Sequence, residues 1–263
     1  MRRELERAAA LLVALLSLAG ASVAQQRPLP LASVRSGIEF AGRDVRALQA
    51  EELTNPAQLW IAQGRSLWEA PAGASGRSCR SCHGEVATLK GAAAAYPRVD
   101  RASGALIDLE DRIRQCRGER QQAPVPAFES DELLALTLWV AQASRGVPLH
   151  TPLDATLQPH WRAGAEQFNR RQGQLNLSCA QCHDQNWGRR LYTDVLSQGQ
   201  PNAYPVYRLE WQKPGSLERR LRSCQASVRA EVPPWGALSQ RQLALFLKWR
   251  AEGLAIEVPA VRK

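Results

Sequence analysis

One apolar stretch with helical spacing lies near the end of each half of the chain. Residues 133–139 and 243–249 each place Leu, Ala and Trp side chains at intervals typical of a buried helix. Few runs alternate strictly between apolar and polar residues, which argues against extensive sheet. We therefore predict an all-α fold in which each half ends on an apolar helix.

The first 24 residues predict a secretion signal. Three arginines lie within the first seven residues, an apolar run follows over residues 8–18, and Ser-Val-Ala at residues 22–24 fits a small-x-small cleavage site. This run is shorter than the ~20 residues that span a bilayer, and no later segment is long and apolar enough. We expect an exported, soluble mature protein.

The chain repeats itself at a spacing of about a hundred residues. Five residues of the first half have equivalents 100 positions later: Gly64, Trp68, Cys79, Cys82 and His83 recur as Gly164, Phe168, Cys179, Cys182 and His183. Tyr96 recurs as Tyr204, and residues 109–116 match residues 217–224, both with an offset of 108. The second half therefore has eight additional residues between His183 and Tyr204. A repeat of this length indicates a tandem domain duplication rather than a solenoid.

Each half contains the pattern Cys-x-x-Cys-His, at residues 79–83 and 179–183. A zinc half-site or a redox dithiol is the alternative, but two copies in a secreted chain favour c-type haem attachment. In that chemistry the two cysteines form thioethers to the porphyrin and the histidine is an axial ligand of the iron. We predict two haem c groups. Their ligands are Cys79, Cys82 and His83 in the first half and Cys179, Cys182 and His183 in the second.

The duplicated motif predicts two tandem cytochrome c-like haem domains. The predicted boundaries are a signal peptide over residues 1–24, an N-terminal extension that wraps the first domain over 25–50, a first domain over 51–150 and a second over 151–263. Prolines between Gly146 and Pro159 mark the linker. Because haem c is attached outside the cytoplasm, the bacterial periplasm is the expected compartment.

One further cysteine follows each motif, Cys116 in the first half and Cys224 in the second. An oxidising compartment allows a disulfide between them, but equivalent positions in neighbouring domains would each face their own haem. The only methionine is Met1, and the two remaining histidines, His150 and His160, fall in the linker. We therefore predict Cys116 and Cys224 as the second axial ligands, with the disulfide as the alternative.

The chain carries a net charge of +9 and has a pI near 9.7. A generally basic, solvated surface explains this balance, and attraction of small anions or of an acidic partner is the alternative. The arginines are scattered and no recognition motif is present, so nucleic-acid binding is not expected.

Arg220 lies four residues before Cys224, one helical turn away on the same face. A guanidinium there would stabilise a thiolate and could hold a small oxyanion against the sulfur. Solvated helix surface is the alternative explanation. Arg112 stands in the same relation to Cys116, so the arginine pattern does not say which half carries out chemistry.

These residues resemble a known family, the SoxA dihaem cytochromes of the periplasmic sulfur-oxidising (Sox) system. The resemblance covers nearly all of residues 35–263 and is most specific in the second half. Its matching segments are residues 144–146, 171–184, 197–199, 204–212, 220–224 and 260–262. One departure lies at Gln200, where the resemblance leads us to expect histidine.

The resemblance implies an L-cysteine S-thiosulfotransferase that works together with a small monohaem cytochrome, SoxX. Thiosulfate would be coupled oxidatively to a cysteine of the carrier SoxYZ, and two electrons would leave through haem toward a downstream cytochrome c. By motif, the family's active cysteine, which carries a persulfide, falls on Cys224, and its substrate-binding arginine falls on Arg220. The second domain is then catalytic, and Cys116 is a ligand only.

Three other functions fit parts of the pattern. A non-catalytic dihaem electron carrier would have the same fold and haems. A thiosulfate dehydrogenase that forms tetrathionate also uses a cysteine ligand, but typically has methionine on its other haem. A peroxidase needs an open iron face, which two cysteine ligands would close.

Overall fold

The computed structural model describes residues 29–263. The predicted signal peptide and the first residues of the N-terminal extension lie outside the described residues. Over the range that is described, no helix is both long enough and apolar enough to cross a membrane.

The first half consists of helices joined by long loops. Its helices are α1 (Arg43–Ala50), α2 (Gln58–Glu69), α3 (Cys79–His83), α4 (Leu109–Gln115) and α5 (Asp131–Gln142), with 3₁₀ turns at Leu31–Ser33, Gly37–Phe40, Val86–Leu89 and Ala93–Ala95. Ser130 caps α5 by accepting a hydrogen bond from the Leu133 amide at 3.3 Å. Most of α5 is buried, so the apolar pattern at 133–139 forms the helix that it predicts.

The second half repeats this order of elements. Its helices are α6 (Gln158–Asn169), α7 (Cys179–His183), α8 (Leu217–Ser227) and α9 (Leu238–Arg250). The Ser216 hydroxyl caps α8 by accepting from the Arg219 amide at 3.0 Å. The third cysteines differ in local structure: Cys224 lies inside α8, whereas Cys116 begins a π-helical turn, Cys116–Arg120, that continues α4.

In each half the first long helix crosses the last one at a glycine. A Cβ atom on Gly64 of α2 would overlap the Ala135 carbonyl oxygen of α5 and lie 2.7 Å from Trp139 Cβ. A Cβ atom on Gly164 of α6 would overlap the carbonyl oxygen of Gln242 in α9 in the same way. Because only glycine permits this approach, the backbones of each helix pair lie in direct contact.

Short strands accompany the helices, so the fold is mainly helical rather than purely α. The strands are β1 (Arg98–Val99), β2 (Leu106–Ile107), β3 (Arg190–Leu191), β4 (Asp194–Val195), β5 (Val206–Arg208), β6 (Lys213–Gly215) and β7 (Ala260–Arg262). All but β7 lie in the loops between a motif histidine and the third cysteine, where backbone groups without a helix must pair with one another.

The hairpins β1–β2 and β5–β6 have the same register. Arg98 pairs with Ile107 in the first half, and Val206 pairs with Gly215 in the second. Both members of the pair are displaced by 108 residues, the offset found in the sequence. Strand β7 adds to β5 in parallel and brings the C-terminus to the second half.

The two halves share one interior. A core cluster joins Ile61 and Leu138 of the first half to Val258 near the C-terminus. Between the halves, Asp111 of α4 and Arg241 of α9 form a buried ion pair. The segment after α9 therefore crosses back onto the first half.

The N-terminal extension is anchored on the second half, not on the first half that it is predicted to wrap. The Arg35 amide donates to Gln198 Oε1 at 2.8 Å, and Gln198 Nε2 donates to the Ser33 carbonyl at 2.9 Å. The Phe40 ring meets Trp187 edge-on, with ring centroids 6.1 Å apart. The physical reason is that the Gln198 side chain is fully buried and needs partners for its amide, and the extension's backbone supplies them.

Lys248 of α9 is buried next to a cavity of about 130 Å³ between the halves. Burial lowers the pKa of its ammonium group to about 8, against a smaller opposing effect of Glu252. The unfolded chain keeps the ordinary value of 10.5, so the unfolded state binds more protons between these two pH values. The free energy of unfolding therefore increases as the pH rises through this window.

Gly64→Ala and Gly164→Ala are each expected to lower the free energy of unfolding by about 1–3 kcal/mol, because a methyl group must displace backbone. This cost outweighs the ~1 kcal/mol that alanine gains in helix propensity. Denaturant unfolding measures the effect. Gly42→Ala is the control, since a Cβ there meets nothing within 4 Å. Wild-type stability in both helix variants would contradict the close crossing.

Lys248→Met should flatten the rise of stability with pH. The wild-type protein should gain on the order of 3 kcal/mol between about pH 8 and about pH 10.5 relative to this variant, because only the wild type has a buried amine to deprotonate. Urea unfolding of both proteins across this range measures the difference. Parallel stability profiles would contradict the burial of a charged Lys248 below pH 8.

Candidate functional site

Both Cys-x-x-Cys-His motifs form one-turn helices, α3 and α7, each capped by the serine before it. Ser78 Oγ accepts from the Ser81 amide at 3.0 Å, and Ser178 Oγ accepts from the Gln181 amide at 3.3 Å. The two cysteines of a motif are three residues apart, so a helical turn places both thiols on one face. The capped turn thus presents the thiol pair and the following histidine together.

The third cysteine of each half lies beside its own motif. The charge of Cys116 acts on the pKa of Cys79, and that of Cys224 acts on the pKa values of Cys179 and Cys182. No disulfide joins any of the six cysteines, and Cys116 and Cys224 each lie beside a different motif. The structure brings together the three cysteines of each half, as the sequence predicts.

His183 is held on two sides. Its Nδ1 donates to the Ser197 carbonyl oxygen at 2.8 Å, which leaves Nε2 for the opposite side of the ring. Gly199 lies against the ring with φ +69°, and a Cβ there would come within 3.0 Å of the imidazole. On the remaining side, His183 lies close enough to Cys224 to lower the pKa of its thiol.

These residues fit a c-type haem. Two thiols on one face, an adjacent histidine and a third cysteine are the donors needed for two thioether bonds and two axial bonds. Within residues 29–263, several buried donors also have no hydrogen-bond partner, among them Gln200 Nε2, Arg117 Nε and Arg250 Nε. Haem carries two propionates, which accept hydrogen bonds from such donors, so the cofactor predicted from the motifs suits the site.

The Cys224 thiol and the Arg220 guanidinium stabilise each other's charge. Burial alone would raise the pKa of Cys224, but its interaction with His183 and the charge of Arg220 bring it below its ordinary value. Burial alone would likewise lower the pKa of Arg220, and the charge of Cys224 is the largest of the effects that raise it on balance. Arg208 also lowers the pKa of Cys224. The site therefore favours a thiolate at Cys224.

The equivalent arginine of the first half is neutralised. Arg112 forms an ion pair with Asp100 and donates to Tyr96 Oη at 3.3 Å. The Arg220 side chain, by contrast, has no ion pair or hydrogen bond in the described part of the chain. Arg220 is therefore the arginine that is available to bind an anion beside a cysteine.

This difference originates at one position of the repeat. Asp100 has Arg208 as its equivalent at the offset of 108. Arg208 Nε donates to Glu210 Oε1 at 2.9 Å, and its guanidinium lies 5.0 Å above the Trp211 ring. The sequence prediction missed Arg208, although opposite charges at aligned positions of the two halves were a visible signal.

The other arginines of α8 point to aromatic rings rather than to the site. Arg219 lies 4.1 Å above the Trp211 ring, and Arg222 lies 4.2 Å above the Trp235 ring. Such contacts hold a guanidinium by cation–π attraction. Arg220 and Arg208 are therefore the arginines whose positive charge lowers the pKa of Cys224.

The two remaining histidines have partners outside the cysteine motifs, and His160, assigned to the linker from the sequence, lies in α6. His150 pairs with Glu252, and His160 Nδ1 lies 3.3 Å from Gln242 Nε2. These contacts give both side chains surface or helix partners, in keeping with the expectation that neither is an iron ligand.

The fold and the site define a cytochrome of the c type. Residues 63–149 match the family model described as SoxA/TsdA, cytochrome c domain. This range contains the first cysteine motif and Cys116. The match supports haem c as the cofactor of the chain.

Comparison with curated proteins shows which family of c-type cytochromes the chain resembles. The L-cysteine S-thiosulfotransferase subunit SoxA of Pseudaminobacter salicylatoxidans is 36% identical over 230 residues, which cover 87% of this chain and 80% of that protein. The subunit of the same name from Rhodovulum sulfidophilum is 34% identical, again over 87% and 80% of the two chains. The chain therefore belongs to the SoxA family of thiosulfotransferase subunits, which confirms the resemblance read from its motifs.

A solved structure agrees with this assignment. A chain in the crystal structure of SoxXA from P. pantotrophus is 33% identical and superimposes with a TM-score of 0.85. The match covers 88% of this chain and 87% of that one. The overall fold is thus that of a SoxXA component.

Proposed function

We propose that this chain is the dihaem subunit of a periplasmic enzyme that couples thiosulfate to a cysteine of a SoxYZ carrier. Its curated relatives bear the name L-cysteine S-thiosulfotransferase subunit, and its solved relative comes from a SoxXA structure. The proposed partner subunit is accordingly a SoxX monohaem cytochrome. A downstream cytochrome c is the proposed destination of the electrons.

The proposal includes two haem domains, residues 51–150 and 151–263, derived from a tandem duplication. The paired motif helices, the two glycine crossings and the repeated hairpin register support this origin. The proposed haem ligands are Cys79, Cys82, His83 and Cys116 in the first domain and Cys179, Cys182, His183 and Cys224 in the second. When bound, haem iron supplies a one-electron acceptor in each domain.

The observation that carries the proposal is that Arg220, beside Cys224, makes no ion pair or side-chain hydrogen bond with residues 29–263. Thiosulfate is a small dianion with a sulfonate at one end and a sulfane sulfur at the other. The planar guanidinium of Arg220 suits the sulfonate oxygens, which directs the sulfane sulfur toward Cys224 Sγ. Because Arg112 is occupied by Asp100, the same chemistry is assigned to the second domain only.

The proposed reaction has two steps that balance. First, a bond forms between the Cys224 sulfur and the sulfane sulfur of thiosulfate, and two electrons are released. Second, the carrier cysteine, as thiolate, attacks the sulfane sulfur and breaks its bond to Cys224, which leaves as thiolate. The carrier thiol loses its proton to solvent, and the carrier keeps the S–SO₃ group. A persulfide on Cys224 would follow the same balance with its terminal sulfur as the reacting atom.

Cys224→Ala should abolish conjugation of the carrier, because it removes the proposed sulfur acceptor. Intact-mass spectrometry should still show two covalently attached haems, since Cys179 and Cys182 are unchanged. Cys116→Ala is the matched control and should retain conjugation. Full activity of Cys224→Ala would refute its assigned role, and tetrathionate formation without carrier would indicate a thiosulfate dehydrogenase instead.

Arg220→Ala should raise the KM for thiosulfate by about 10–100-fold, the loss expected for hydrogen bonds to a charged group worth about 1.5–3 kcal/mol. Steady-state assays at saturating carrier measure this change. Arg112→Ala, the equivalent substitution in the first domain, should leave the KM for thiosulfate near the wild-type value. Equal effects of both substitutions would contradict the assignment of one binding arginine.

Arg208→Asp should reproduce the charge arrangement of the first domain. A carboxylate at position 208 would pair with Arg220 as Asp100 pairs with Arg112, so binding of an anion should weaken. We expect a higher KM for thiosulfate, whereas Arg208→Gln, which only removes charge, should have a smaller effect. A KM that responds equally to both substitutions would show that ion pairing with Arg220 is not the cause.

A further inference from the structure

The second half contains a hairpin that the first half lacks. Strands β3 and β4 pair antiparallel, with Leu191 opposite Asp194, and Tyr192 and Thr193 form the turn. We call residues 189–196 the site hairpin. It falls in the loop between His183 and Tyr204, which is eight residues longer than the loop between His83 and Tyr96 in the first half.

The site hairpin adjoins the candidate active site. Directly after it, the Ser197 carbonyl oxygen accepts the hydrogen bond from His183 Nδ1 at 2.8 Å. On strand β4, Asp194 lies close enough for its charge to act on the pKa of Arg220. The site hairpin therefore lies beside both His183 and Arg220.

The tip of the site hairpin presents apolar surface to solvent. Tyr192 is 95% exposed and Leu191 is 51% exposed. Neither strand pairs with any strand other than its partner among residues 29–263. An exposed tyrosine next to an exposed leucine, at the edge of a reaction site, is the type of surface that partner proteins bury.

This tip is held in place by the rest of the chain. The C-terminal residue, Lys263, donates through Nζ to Thr193 Oγ1 at 2.6 Å and to Asp194 Oδ1 at 2.7 Å. At its base, Trp187 packs edge-on against Phe40 of the extension. A surface ordered in advance loses less conformational entropy when it binds.

The site hairpin also carries unpaired positive charge. Arg189 and Arg190 are both exposed, and their side chains make no ion pair within the described range of residues. The one carboxylate on the site hairpin, Asp194, is paired with Lys263. The resulting combination of two arginines and an apolar tip complements a protein surface that is acidic with an apolar patch.

We propose that the site hairpin docks the acceptor protein, through acidic and apolar residues that flank the acceptor cysteine. This inference rests on the proposed function. The acceptor cysteine must approach Cys224 at every turnover, so the acceptor's surface must cover the rim of the site, and the site hairpin forms part of that rim beside Arg220. A partner subunit that only receives electrons has no comparable need to enter there.

The test uses the complete enzyme with the SoxYZ carrier. Substitutions are made either in the apolar tip or in the exposed arginines of the site hairpin. The double substitution Leu191→Ala and Tyr192→Ala should raise the KM for the carrier about tenfold or more, while the KM for thiosulfate stays unchanged. Arg190→Glu should raise the KM for the carrier as well, and should weaken its dependence on ionic strength because a charge attraction is lost.

Matched controls lie in the first half. Leu53→Ala removes an apolar side chain that is 99% exposed, and Arg101→Glu reverses an exposed charge. Both should leave the KM for the carrier unchanged, which shows that loss of surface or charge elsewhere is not sufficient.

The outcomes separate this inference from the function on which it rests. If the wild-type enzyme conjugates the carrier and the hairpin variants keep its KM, docking by the site hairpin is refuted while the function stands. If the variants instead lose the monohaem subunit on co-purification, the surface binds that subunit and the inference is wrong. Failure of the wild-type enzyme to conjugate the carrier at all would overturn the proposed function itself.

Discussion

Direct backbone contact at two helix crossings determines the shape of both halves. Gly64 and Gly164 leave no space for a side chain between the crossing helices, so each pair lies at minimum separation. Most apolar residues of α5 and α9 are buried, and unpacking these helices would expose that surface. The loops between the crossing helices therefore start and end at defined points, and they carry the cysteine motifs with them.

The same frame presents different charge beside the third cysteine of each half because a few residues differ. A carboxylate at position 100 occupies Arg112, whereas a guanidinium at position 208 leaves Arg220 without an ion pair among the described residues. Unpaired, buried positive charge is costly unless an anion or a thiolate stands next to it. Arg220 is only half-buried, and the anion next to it is the Cys224 thiolate that its charge favours.

The position of His183 depends on parts of the chain that are far apart in sequence. Ser197 and Gly199 contact the imidazole from two sides. Gln198, between them, is anchored by Ser33 and Arg35 of the N-terminal extension. The extension, which contains no residue of the site, thus helps to fix the backbone that orients a proposed iron ligand. Arrangements of this kind hold metal ligands in one geometry.

The sequence alone determined the elements that depend on local pattern or on counting. The apolar helices at 133–139 and 243–249, the motif helices and the grouping of three cysteines in each half follow from residue spacing and from the repeat, and the structure contains them. The SoxA resemblance was also readable from short motifs, because the Cys-x-x-Cys-His pattern and the residues around Cys224 are specific local sequences. Small strands were not foreseen, since two or three residues are too few for an alternating pattern to stand out.

Only the tertiary structure decided what depends on contacts between distant residues. The N-terminal extension lies on the second half because the buried amide of Gln198 needs partners, a requirement that no local pattern reveals. The sequence placed Arg112 and Arg220 in equivalent positions and could not rank them. The ion pair of Arg112 with Asp100, twelve residues away in the chain, separates them, because the charge available at a site depends on which side chains fold against one another.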